Sequence, residues 1–290
     1  MTPSTQTSAS SPGGAAPPRA EIGVIGGSGF YEFLTGAEHM PITTPFGDPS
    51  DDVVVGDLGG RRVAFLARHG QGHRFPPHRV NYRANLWALR SVGVRQVLAP
   101  CAVGSLKPEH RPGTIVVPDQ VVDRTWGRDH TIFDAIGPVV HVGFADPYCP
   151  RGRRAVIDAA IAAGKPVVEG GTMVVVNGPR FSSRAESLWH QQAGWAVVGM
   201  TGMPEAAIAR ELAMCFTAIA LVTDHDAGVD DGAAVTHEEV LKVFARSLDG
   251  LKAVLKSAIG ALPAPVDDLS ATCACRRCLD GLKLPIALPT

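Results

Sequence analysis

The chain has 290 residues, 45% hydrophobic and 19% charged, with a formal net charge of −1 at pH 7. That supplies apolar material for one large buried core. It gives no electrostatic footprint for nucleic acid or an anionic membrane, and no apolar run reaches the roughly 18 residues that a spanning helix needs.

Residues 1–20 lack a basic n-region and an apolar core. They read as a disordered tail rich in Ser, Thr, Pro and Gly, not as a secretory signal, so the cytoplasm is the expected compartment. Residues 22–25 read as a buried strand ending in the turn Gly26-Gly27-Ser28-Gly29. A hairpin-like region follows, with residues 51–58 and 62–67 joined through Gly59-Gly60. Residues 81–92 have helical spacing, with Leu86 and Leu89 on one face near Tyr82. Short strands are predicted at 96–100 and 113–118, a helix at 151–163 stopped by Gly164, and a strand at 172–176. A helix at 183–193, a strand at 196–199, a helix at 204–214 and a strand at 216–222 come next. A long helix over 236–258 opens on Thr236 with Glu239 three residues on, a capping box. Strands alternate with helices throughout, which predicts an α/β fold: one domain over residues 21–262 with a central mixed sheet flanked by helices. Residues 263–290 form a C-terminal tail.

Six cysteines are present. Cys101, Cys149 and Cys215 lie in apolar surroundings and read as buried free thiols. Cys273, Cys275 and Cys278 form CACRRC, the spacing of a zinc knuckle or a redox pair. A structural zinc site needs four ligands, and no Cys or His follows Cys278, so no metal is expected.

Polar candidates fall just after the predicted strands, where open α/β sheets bind ligands. IGGSGF (25–30) is either a strand-end turn or an anion site, with Ser28 as a donor; it fits neither the dinucleotide nor the P-loop spacing. In LARHGQGH (66–73), Arg68 either grips phosphate bidentately or pairs with a surface carboxylate, and His69 can add a donor. In NGPRFSSRAES (177–187), Phe181 is a core ring or a flat ligand platform, and Ser182 a small polar contact. In VGMTGMPEAA (198–207), Thr201 can donate to phosphate, and Met200 is core filler or a sugar contact. In LVTDHDAG (221–228), Asp224 and Asp226 either read two atoms on one edge of a base or lie in a solvated loop. Asp-X-Asp also suggests a divalent metal, but only Asp230 and Asp231 stand nearby.

The order and spacing of these motifs resemble the trimeric purine nucleoside phosphorylases, and within them the methylthioadenosine phosphorylases. IGGSGF, TPFGDPSD, LARHG, VNYRANLWAL, GSL, GTMVVVNGPRFSSRAES, GMTGMPE and TDHD occur in that family's order between residues 22 and 262. The resemblance implies phosphorolysis of S-methyl-5′-thioadenosine in purine and methionine salvage. It implies inorganic phosphate as co-substrate, no cofactor, and a homotrimer. Phosphate would be held by Ser28, Arg68, His69, the Cys101-Ala102 segment and Thr201. Animal-type members have threonine at Cys101; a thiol donates weakly, which shifts the work to the Ala102 amide. Ribose would rest near Met200 and purine along Phe181, with Ser182 beside it, while His141 would reach into a neighbouring subunit's site. Members acting on 6-oxopurines carry asparagine at the Asp224 position and glutamate at the Ser182 position. Here Asp224 can serve N7, as general acid if burial beside Asp226 raises its pKa, and Asp226 can accept from the 6-amino group. Val240 and Leu241 offer an apolar 5′ wall. His237 matches members that bind a 5′-hydroxyl, or is a surface residue of its helix. The alternatives are a broad-range or 6-oxopurine phosphorylase and, as a non-enzyme, a nucleotide sensor on the same fold.

Overall fold

A computed structural model describes residues 20–27, 34–229, 236–263 and 273–289 of the chain, His237 by its backbone only. β1 (Ile22–Gly26) is wholly buried, and its alternate side chains serve two cores, Ile22 and Val24 on one face and Ile25 on the other. β2 (Thr35–Met40) is an exposed strand antiparallel to β3 (Val53–Leu58), which forms the expected hairpin with β4 (Arg61–Ala67). The turn between them has φ of 60° at Gly59 and 78° at Gly60, the pair of positive values that Gly-Gly allows. Asn81 caps α1 (Tyr82–Ser91) by accepting the Ala84 N–H at 3.2 Å.

The chain continues through β5 (Gln96–Ser105), β6 (Ile115–Val117), β7 (Gln120–Arg124), α2 (Pro150–Ala162), β8 (Val167–Glu169) and β9 (Thr172–Val176). α3 (Arg184–Gln192), β10 (Val197–Gly199), α4 (Gly202–Glu211), β11 (Cys215–His225), α5 (His237–Ala261) and the short α6 (Ala274–Arg277) follow. The sheet is mixed, as expected, with order β2-β3-β4-β1-β5-β10-β9-β7 and a branch from β5 through β11 and β6 to β8. Leu86 and Leu89 of α1, Ile208 of α4 and Leu212 just after it pack on one face. Val156, Ile157, Val254 and Leu255 of α2 and α5 pack on the other. No helix among the described residues is long and apolar enough to cross a membrane.

The branch at β5 creates the site. β11 runs parallel along the whole of β5, from Cys215 opposite Gln96 to His225 opposite Ser105. On the other edge, β1 pairs only with residues 96–98, and β10 only with Gly104 and Ser105. Residues 99–103 therefore face a split in the sheet. β5 was expected to stop at Pro100, yet it continues five residues further. A proline is tolerated there because its missing N–H would point into the split, where no ladder partner waits.

β2, β7 and β8 were not foreseen. β2 and β7 are largely exposed and β8 has three residues, so none offers a strong apolar signal. The C-terminal segment packs back onto the domain: Ile286 and Leu288 touch the first core, and Cys273 and Cys275 are buried. The three-cysteine reading of CACRRC is corrected here. Cys149, just before α2, and Cys215, opening β11, meet Cys273 and Cys275 in one buried cluster. No fourth ligand follows Cys278 in the sequence; the fold instead brings two thiols from upstream. Cys278 stands apart, its Sγ donating to the carbonyls of Arg210 at 3.1 Å and Cys275 at 3.2 Å.

Candidate active site

A cavity of about 500 Å³ opens over the split in the sheet. Arg68, His69, Cys101, Ala102 and Thr201 line one part of it; Phe181, Ser182, Met200, Asp224 and Asp226 another; Val240 and Leu241 a third. Ser28 falls outside the described residues, but Gly27 beside it reaches the wall. His141 is exposed and is not among the lining residues.

Arg68 spans the gap between the separating strands. Its Nη2 donates to the Ile25 carbonyl at 2.9 Å and its Nη1 to the Pro100 carbonyl at 3.0 Å. Both readings of this residue need correction. Its fork is occupied, by a carboxylate that is not at the surface: Nε and Nη2 donate to Glu205 at 2.5 and 3.0 Å, with the glutamate side chain fully buried. Of five N–H groups, one on Nη1 remains for an anion among the described residues. Glu205 was missed as a site residue, although it stands in the GMTGMPE motif.

The other donors are backbone and hydroxyl groups. Within a strand, the N–H and C=O of one residue share an edge, and so do those of residue i+2. Since the Pro100 carbonyl faces the split, the Ala102 N–H faces it too. Burial pushes the Cys101 thiol up to about 11, so it stays neutral. Thr201 precedes α4 without a side-chain capping bond among the described residues, which leaves its hydroxyl to the cavity.

His69 was expected to donate. Its Nδ1 lies 2.8 Å from the Phe75 carbonyl, which can only accept, so Nδ1 carries the proton. Burial and the Arg68 charge hold its pKa down to about 4. The neutral ring, stacked on His73 at 4.1 Å, presents Nε2 as an acceptor for the O–H of a protonated phosphate.

Asp224 and Asp226 do converge on the cavity. A register shift in β11 between Val222 and Asp224 re-aims the strand end. Thr223 Oγ1 lies 2.7 Å from Asp224 Oδ1. Burial drives the Asp224 pKa up to about 6, against the pull of that hydrogen bond and with a further push from Asp226. Asp226 is 3% exposed, and its Oδ2 has no hydrogen-bond partner among the described residues. A buried acceptor left unpaired costs about 1–3 kcal/mol, which a ligand N–H would recover. Gly104 makes room for the pair, since a Cβ there would lie 3.1 Å from Asp224 Oδ2 and 3.3 Å from Asp226 Cβ.

The loop carrying Phe181 and Ser182 is fixed at both ends. Ser183 and Glu186 close a capping box at the start of α3. Arg128, which sequence reading missed, donates to the Asn177 carbonyl at 2.9 Å and to the Met203 carbonyl at 2.6 Å. It lies outside every motif, so no local signal marks it. Gly178, at φ 62°, lets Met200 approach: a Cβ there would sit 2.6 Å from its Sδ. Just before α5, Thr236 accepts the Glu239 N–H at 3.3 Å as expected, and on the helix Val240, Leu241 and Phe244 form an apolar wall. The side chain of His237 lies outside the described residues.

A family model for the phosphorylase superfamily matches residues 21–260, and the chain belongs to that family. It is 58% identical over 278 residues to a purine nucleoside phosphorylase of Streptomyces coelicolor, covering 93% of this chain and 98% of that one. It is 51% identical over 272 residues to an S-methyl-5′-thioadenosine phosphorylase of Mycobacterium tuberculosis, covering 92% and 97%. Among solved structures, a methylthioadenosine phosphorylase from an antarctic soil metagenomic library superposes with a TM-score of 0.82 at 39% identity, over 90% of this chain and 91% of that one.

Proposed function

We propose that this chain phosphorolyses S-methyl-5′-thioadenosine to adenine and 5-methylthioribose 1-phosphate. The observation that carries the reading is the pairing of two carboxylates with raised or unpaired acceptor character, Asp224 and Asp226, with a donor-lined split across the same cavity. Adenine offers a 6-amino group to the Asp226 acceptor; a 6-oxo group would set acceptor against acceptor. Similarity to proteins named for methylthioadenosine at 43–53% identity supports it.

Phosphate sits at the split, bound by the Ala102 N–H, the Thr201 hydroxyl, the free Arg68 N–H and His69. Glu205 neutralises Arg68, so directed donors rather than net positive charge hold the anion. As the C1′–N9 bond breaks, its electron pair stays on the purine. Protonated Asp224 gives its proton to N7, and a phosphate oxygen bonds to C1′. Positioning and electrostatics supply the rate. No metal or organic cofactor enters this scheme. Val240, Leu241 and Phe244 receive the methylthio group.

Homotrimer formation and a cytoplasmic location belong to the same proposal. Trp126, Ile136 and Val139 expose large apolar side chains in the segment that carries His141, a pattern that marks protein contacts. His141 would complete a neighbour's cavity. Six cysteines with no disulfide among them suit a reducing compartment.

Specificity constants for methylthioadenosine, adenosine and inosine, with and without phosphate, test the reading. Phosphate-dependent turnover with methylthioadenosine preferred is expected. Preference for inosine would place the chain with the 6-oxopurine enzymes, and binding without turnover would make it a sensor.

A further inference from the structure

At the amino end of β11, about 30 Å along the strand from Asp224, four cysteines from three separate stretches of sequence meet. Cys149, Cys215, Cys273 and Cys275 are each no more than 6% exposed. All four Sγ atoms lie within 4.8 Å of one another. Cys273 Sγ is 3.9 Å from Cys149 Sγ and 3.5 Å from Cys215 Sγ. A tetrahedral tetrathiolate with zinc–sulfur bonds of roughly 2.3 Å places its sulfurs about 3.8 Å apart. A disulfide needs about 2.05 Å and joins two sulfurs only, whereas Cys273 stands near two partners at once.

The surroundings fit a negatively charged centre. Zinc with four thiolates carries two net negative charges. Arg210 Nη2 lies 3.9 Å from Cys275 Sγ. Arg151 and Arg276 line the small cavity beside Cys149, Cys215 and Cys273. Cys149 stands at the N-terminus of the 13-residue α2, where the helix field favours a thiolate.

We propose that Cys149, Cys215, Cys273 and Cys275 bind one structural zinc ion that fastens the C-terminal segment to α2 and β11. Four protein ligands leave no open coordination position, so the ion serves the fold and not the reaction. Binding is redox-neutral: the thiols release their protons to solvent as the metal–sulfur bonds form. Cys278, hydrogen-bonded to two carbonyls, is not a ligand.

The test uses the full chain, produced in zinc-supplemented medium and purified without chelator. Elemental analysis should find about one zinc per chain, and zinc-edge absorption four sulfurs at roughly 2.3 Å. Cys273→Ser should cut zinc content at least about tenfold, and Cys278→Ser should retain it, as expected for loss of one ligand from a closed site. If Cys273→Ser fails to fold, organomercurial titration of the wild-type chain replaces it, and zinc release should track thiol modification. Absence of zinc from the wild-type chain, nitrogen or oxygen ligation, or a disulfide among these cysteines in the alkylated protein would overturn the proposal.

Discussion

The two ends of β11 gather polar groups in opposite ways. At the carboxyl end, Asp224 and Asp226 stand in a cavity of about 500 Å³, one with its proton affinity raised and the other with an unpaired oxygen. At the amino end, Cys215 joins three other thiols beside a cavity of about 20 Å³, and the sulfurs are near contact. A substrate that enters and leaves must find groups that the protein has left unpaired, and room to move. A permanent ion needs ligands that nearly touch, closed to solvent. One strand carries both because its ends lie in different environments: the split beside β5 at one end, and the start of α2 and the returning C-terminal segment at the other.

The sharpest way to break this contrast is Asp224→Asn. If Asp224 is the general acid, the variant loses about 100- to 10,000-fold in kcat on methylthioadenosine, and its preference shifts toward 6-oxopurines. An unchanged substrate ratio would remove Asp224 from the base site. The wild-type kcat/KM should fall as pH rises through about 6, where the free enzyme loses that proton. Stability follows the same group. Its folded pKa is raised from 3.8 to about 6, so its favourable contribution is complete below about pH 4 and is lost as pH rises through 6. Holding it ionised at neutral pH costs about 3 kcal/mol. Urea denaturation should therefore show Asp224→Asn more stable than wild type at pH 7.5, with the advantage gone at pH 4.

Glu205→Ala examines a group that the cavity has already satisfied. Removing it leaves the Arg68 charge buried and unpaired, which costs about 3–5 kcal/mol. Chemical denaturation should register that loss. The phosphate KM should rise more than the nucleoside KM, because Arg68 no longer sits fixed across the split. A loss below about 1 kcal/mol would mean that water reaches Arg68 and that the pair behaves as a surface ion pair.

The cavity was more legible in the sequence than the thiol cluster, for a physical reason. Each motif of the cavity ends a strand or opens a helix, so local spacing marks it, and α/β topology carries such points to one edge of the sheet. Asp224, Asp226, Thr201 and Phe181 were found that way. Arg68 was found too, but its partner was not, because nothing local tells a fork aimed at phosphate from one aimed at Glu205, 137 residues away. The cluster joins Cys149 and Cys273 across 124 residues. Only CACRRC has readable spacing there, and the remaining thiols look like ordinary apolar positions until the chain is folded. Exposed strands such as β2 escaped for want of apolar alternation.

A smaller effect concerns how complete the cavity is within one chain. If the chain is a trimer, as proposed, Ile136→Asp with Val139→Asp should convert it to monomers by light scattering, since the apolar surface would lose its partner. His141→Ala should raise the nucleoside KM a few-fold while leaving the trimer whole, the loss of about one hydrogen bond. A chain that stays trimeric with both aspartates present would move the interface elsewhere.

The finest test is the 5′ wall. Val240 is half-buried on the second turn of α5 and lines the cavity with Leu241 and Phe244. A methylthio group gains by leaving water against that surface, at about 0.8 kcal/mol for each buried methylene equivalent. A 5′-hydroxyl gains little there and must keep a hydrogen bond. Val240→Ser removes apolar area and supplies a donor and an acceptor, so the ratio of kcat/KM for methylthioadenosine to that for adenosine should fall about ten- to fiftyfold, the range given by one lost methylene plus one neutral hydrogen bond. The phosphate KM should move less than the nucleoside KM, because Val240 is not among the groups assigned to phosphate. An equal response of the two substrates would mean that the 5′ group points away from α5. His237 at the start of that helix would then lose its place in the specificity argument as well, since both residues enter the reading through the same wall.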